Sequence, residues 1–196
     1  MQPEKEQRSS VVLLGLLVEG GLVLLAWLAG WLLGQPPLER FRWSAWDALL
    51  GAAASGPLLL LFLLCLRWPL GPLARIKQLT FEFIIPLFAP CTLFDLALIS
   101  VLAGFGEEML FRGVLQGLFT GWLGVWPGLL AASVMFGLAH LITPTYAVLA
   151  TLMGAYLGFC YHASDNLLVV IAAHALYDFL VLMYLVRRAE PPSVRC

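Results

Sequence analysis

Three short segments hold most of the residues that could do chemistry: GEEMLFRG (106–113), FGLAH (136–140) and HALYD (174–178). Glu108 and Arg112 are four apart, so on a helix they share a face and can pair. Glu107 is turned about 100° away around the same helix. One carboxylate can therefore be held by Arg112 while its neighbour faces a cavity. Taken alone, the segment reads equally as a self-neutralising pair at a helix end with one wet carboxylate. A single histidine such as His140 on an apolar helix is more often a core or interface residue, and Phe136, one turn earlier, can pack against it under either reading. His174 and Asp178 are again four apart and can hydrogen-bond, although such pairs commonly serve to hold membrane helices together. Jointly these plain readings weaken, because three successive helices each present acid or base groups. A carboxylate and a histidine can share the deprotonation of water. A His/Asp pair can stabilise the oxyanion that forms when a peptide carbonyl is attacked. His162, in the HASDN turn beside Asp165, reads as interfacial, and Glu19 and Asp95 are isolated and receive no chemistry.

The elements that must position this set are set by composition. Hydrophobic residues make up 61% of the 196 and charged residues 12%, with a mean hydropathy of +0.91. Soluble domains run at about 45–50% apolar and about 25% charged, so the excess here calls for lipid as solvent. A net charge of −1 provides no basic excess for nucleic acid. Ionisable residues inside lipid cost about 2.5–3.5 kcal/mol each on insertion scales, which is why the set above is informative. Cys65, Cys91, Cys160 and Cys196 have no paired spacing, so neither a disulfide framework nor a zinc ribbon is expected. Cys196 in the last position does not make a prenylation signal.

The chain reads as one all-α membrane domain (1–196): N-terminal spans and an interfacial segment over 1–80, then a core over 81–187. The run from Val11 to about Leu33 is long enough to cross a ~30 Å hydrocarbon layer and is read as a retained span rather than a signal peptide. Span 2 covers about 45–66. RWPLGPLARIKQ (67–78) reads as an interfacial loop or short amphipathic helix. An apolar segment at 81–103 is expected to carry a kink or a short lead-in helix at Pro86 and Pro90, and helical runs follow at about 105–119, 126–142, 145–161 and 167–187. Short connections imply antiparallel neighbours in one bundle, with no period-two pattern for a barrel. The expected count is seven spans, with six to eight allowed. The positive-inside rule puts Arg67, Arg75 and Lys77 in the cytoplasm, yet an odd count would leave Arg187 and Arg188 outside.

In order, GEEMLFRG, FGLAH and HALYD resemble the EExxxR, FxxxH and HxxxN/D motifs of the CAAX-processing and bacteriocin-processing (CPBP, or Abi) intramembrane endopeptidases, which include the Ras-converting prenyl endopeptidase. The resemblance covers roughly 81–187. It implies that Glu107 and His140 activate water, that Glu108 and Arg112 order the site, and that His174 and Asp178 stabilise the oxyanion. It implies a peptide or membrane-protein substrate within a lipid bilayer; separately, a compact chain without a transit peptide suits a prokaryotic plasma membrane. No cofactor is favoured. There is no HExxH, but Glu107, His140, His174 and Asp178 carry donors that can ligate zinc, and the family was once described as metalloproteases. Asp178 departs from the prenyl-endopeptidase branch, which has Asn there. An ionised carboxylate cannot donate to an oxyanion, so Asp178 must be protonated, orient a cationic His174 or ligate a metal. Two other classes compete: a non-catalytic scaffold or immunity factor of the same fold, and a proton-coupled transporter, against which stands the lack of an internal repeat.

Overall fold

The computed structural model describes residues 2–189, so Cys196 lies outside the described residues. Among those described there is helix and no strand. We number the helices α1 (Gln2–Leu33), α2 (Ala45–Arg67), α3 (Pro72–Phe88), α4 (Leu93–Leu123), α5 (Val125–Ala139), α6 (Pro144–Ser164) and α7 (Leu167–Ala189). Four of them, α1, α2, α6 and α7, are long and apolar enough to cross a membrane by themselves. The bent pair α3 and α4 adds a fifth span if counted as one, and α5 is a shorter apolar helix. The membrane bundle is all-α, with its polar groups paired inside helices as hydrocarbon demands.

This arrangement has fewer long spans than the seven expected, because the break falls elsewhere. The expected boundary near 104, between runs at 81–103 and 105–119, does not exist: residues 93–123 form a single helical element. Gly104 and Gly106 lie inside it, because the helix meets its neighbours there. A Cβ on Gly104 would come 2.8 Å from the Ala175 nitrogen, and one on Gly106 would come 2.8 Å from the Glu19 carbonyl oxygen. The real break is at 89–92, where Pro90 supplies no donor and Thr92 starts α4 with a capping box to Asp95. Across it α3 and α4 bend by 116°. Pro86 is accommodated within α3, just after a π-helical stretch at Thr80–Ile84.

The ends of α2 and α7 and part of α3 lie on one side of the bundle. Arg67, Lys77 and Arg188 accordingly line one and the same cavity, which removes the conflict with the positive-inside rule. The opposite end is tied by Asn166, which is fully buried. It accepts from the Arg42 and Leu168 backbone N–H groups and donates to the Arg42 carbonyl and to Asp47.

Burial differs along the chain. Only 11% of the apolar window of α1 and 17% of that of α2 is buried, against 33% for α6 and for α7. The N-terminal pair is thus the more lipid-facing, and Leu24, Trp31 and Leu49 project outward. Beneath it α2 packs on α7, α4 on α1 and α7, and α5 on α6. Met109, Phe136, Leu157, Val170 and Ala173 are buried between them.

Candidate active site

The site is built around α4. Its first half is α-helical through Glu108, and a π-helical stretch follows at Met109–Gln116. Such stretches concentrate at functional sites, and here it carries Arg112. Glu108 and Arg112 are paired at 2.7 Å with almost no solvent exposure on either side chain. Arg112 is further held by the Gly154 carbonyl, which accepts from its second nitrogen at 3.0 Å, and by the Phe136 ring 4.6 Å below its carbon. A buried charge pair survives only with its remaining hydrogen-bonding groups engaged, and these contacts engage the guanidinium.

The Glu108 oxygen that meets Arg112 also meets His174 Nδ1 at 2.7 Å. Glu108 therefore fixes the His174 ring from its Nδ1 side and turns Nε2 the other way. That Nε2 lies 4.0 Å from Glu107 Oε2 and 3.5 Å from Asp178 Oδ2. The His174–Asp178 pair expected from spacing is thus at ion-pair distance, while the short hydrogen bond goes to Glu108, a link between α4 and α7 that spacing along one helix could not show. His140 closes α5. Its Nδ1 is 2.8 Å from the Phe136 carbonyl oxygen, so Nδ1–H donates there and Nε2 points at Glu107 Oε2, 3.6 Å away. Phe136 stacks against the His140 ring with centroids 4.5 Å apart and also meets Phe111 and His174 edge-on. It is the apolar post around which both imidazoles and the guanidinium are arranged.

The structure brings all six sequence-selected residues, Glu107, Glu108, Arg112, His140, His174 and Asp178, into one connected cluster. Glu107 and Asp178 lie on the wall of a cavity of about 510 Å³ whose lining is mainly apolar. Tyr146 and Tyr177 share that wall, and the amphipathic helix α3 covers part of it through Ile76 and Phe83. His162 is elsewhere, edge-on to Trp126.

Sequence reasoning missed Glu19. It projects from α1 into the same cavity as Glu107 and Asp178, and its Oε2 is buried without a hydrogen-bond partner. The available signal was its cost, since a carboxyl in the middle of an otherwise uncharged span is expensive and usually functional. Asp95 is the opposite case, fully engaged by Arg8 and Thr92. As for zinc, among the described residues no three His, Cys, Asp or Glu are grouped so as to hold a metal ion. One Glu108 oxygen is already committed to Arg112 and His174.

Residues 89–180 match the family model described as type II CAAX prenyl endopeptidase Rce1-like, a match that supports the CPBP family of CAAX-type intramembrane proteases. Comparisons with curated proteins and with solved structures give no match. The matched stretch runs from the break before α4 into α7 and contains every residue of the cluster. Together with the apolar helices it supports an integral membrane protein that resembles a membrane protease family.

Proposed function

We propose that the protein is an intramembrane endopeptidase that cleaves a membrane-associated peptide or protein, with residues 81–187 as its catalytic core. One observation carries this reading: Glu107 Oε2, His140 Nε2 and His174 Nε2 face a common point beside an apolar cavity, at separations of 3.6 and 4.0 Å from the carboxylate. These spacings exceed direct hydrogen bonds and suit groups that share a water. Glu107, with His140, takes a proton from that water as its oxygen bonds to the substrate's carbonyl carbon. The carbonyl electron pair moves to oxygen. His174, protonated on both nitrogens, donates Nδ1–H to Glu108 and Nε2–H to the oxyanion, a preorganised contribution of several kcal/mol in comparable sites, on the order of 2.7–4. Asp178 holds His174 cationic rather than donating itself, which is the role open to an ionised aspartate where an asparagine would donate directly. When the C–N bond breaks, the proton carried by Glu107 passes to the leaving nitrogen. Glu108 and Arg112 set the geometry, and no step calls on a metal.

Hydrolysis of quenched-fluorescent peptides, prenylated and unprenylated, by the full chain in proteoliposomes tests the reading. Glu107→Ala and His140→Ala proteins that remain folded are expected to lose cleavage. Undiminished cleavage in either would overturn the assignment.

A further inference from the structure

Two sets of cations stand out among the described residues. Arg8, Arg40, Arg42 and Arg112 each face a carboxylate within 4 Å. Arg67, Lys77 and Arg188 face no carboxylate within 4 Å among the described residues. They come from the end of α2, from α3 and from the end of α7, and they converge on a second cavity of about 480 Å³. No carboxylate lines it among the described residues. Lys77 reaches only the Leu66 carbonyl, at 3.4 Å, and Arg188 rests on the Tyr184 ring, 4.7 Å from its centroid. Three cations from separate elements on one cavity wall, with no described carboxylate among them, make that cavity attractive to an anion.

The surroundings say which anion. The cavity opens where the membrane-crossing helices α2 and α7 end. One side of it is formed by Leu63, Leu64 and Trp68, exposed by 44%, 40% and 56%. A free inorganic anion makes no use of such a wall, whereas an amphiphile covers it with its chains while its phosphate meets the cations. Tryptophan at this depth is typical of the headgroup level. The positive-inside rule puts this end in the cytoplasmic leaflet, where anionic lipids concentrate. We propose that Arg67, Lys77 and Arg188 form a binding site for the phosphate headgroup of an anionic phospholipid, seated against Trp68 and the leucines of α2. Arg75 and Arg187 are exposed on the same side but do not line the cavity. They provide the internal comparison between a built site and general surface charge.

The test is a lipid titration of the purified full chain in detergent, read by native mass spectrometry, and it needs no knowledge of a protein substrate. Phosphatidylglycerol is expected to bind well ahead of phosphatidylcholine. A near-surface cation is worth about 1 kcal/mol toward an anionic membrane, or about fivefold. An R67Q/R188Q variant should therefore lose at least about tenfold in phosphatidylglycerol affinity, and R75Q/R187Q less than about twofold. Circular dichroism checks the fold of each, and K77Q alone, expected to lose about fivefold, stands in if the double variant does not fold. Unchanged affinity in R67Q/R188Q, or in K77Q where that stands in, overturns the site. So does an equal loss in R75Q/R187Q, which would mean diffuse attraction. Equal binding of phosphatidylcholine, or displacement of the lipid by inorganic phosphate at comparable concentration, overturns the headgroup assignment.

Discussion

Two acidic residues of α4, Asp95 and Glu107, are placed in opposite ways. Asp95 begins the helix and is saturated: both oxygens accept from Arg8, and one also accepts from the Thr92 backbone and hydroxyl. Glu107, three turns on, keeps a buried oxygen with no partner at hydrogen-bond distance, turned toward two imidazoles. A satisfied carboxylate caps and ties; a buried one with spare acceptor capacity stores the means to take a proton or bind a substrate donor. Their neighbour Glu108 belongs to the first kind in part, since one of its oxygens holds Arg112 and His174 in place.

The comparison breaks first at Glu107. Glu107→Gln removes the base and leaves the shape, so cleavage should fall by about 10²–10⁴-fold with the thermal unfolding of the detergent-solubilised protein unmoved. A large loss of stability instead would put Glu107 in the same class as Asp95. Arg112→Met takes the partner from a buried carboxylate and should cost about 3–5 kcal/mol in unfolding experiments, lowering activity through the fold. If it is tolerated, the Glu108–Arg112 pair is not the brace of the site. Glu19→Gln sharpens the contrast in an intermediate way. The amide still accepts hydrogen bonds but carries no charge into the cavity, so cleavage should change by up to about tenfold at unaltered stability; an effect on stability alone would make Glu19 structural. Asp95→Ala should remove about 1 kcal/mol through the lost cap, with cleavage per folded molecule unchanged, as measured by active-site-normalised kinetics. The smallest effect expected is from chelation: with no three donors grouped for a metal among the described residues, exhaustive chelator treatment should leave cleavage intact, and a loss restored by zinc would reverse that view.

The family core was legible because its signals are local. Glu108 with Arg112, Phe136 with His140 and His174 with Asp178 are each one helical turn apart, and that periodicity is a property of the sequence. Glu19 was not legible because its meaning depends on α1 crossing α4 at Gly106, a contact between residues far apart along the chain. The break at 89–92 was half legible. Pro90 announced a disruption, but the capping box of Thr92 and Asp95 and the contacts of Gly104 decided where helix ended and began.

By itself, then, the sequence determined an all-helical membrane chain, its apolar runs and the pairs that share a helix face, since hydrophobicity and 3.6-residue periodicity act within one segment. Only the tertiary structure decided that Glu108 bonds to His174, that Glu107 faces both imidazoles, and that Arg67, Lys77 and Arg188 meet at one end. The reason is geometric: which faces of separate helices meet depends on small residues at their crossings and on how many times the chain passes through the bundle.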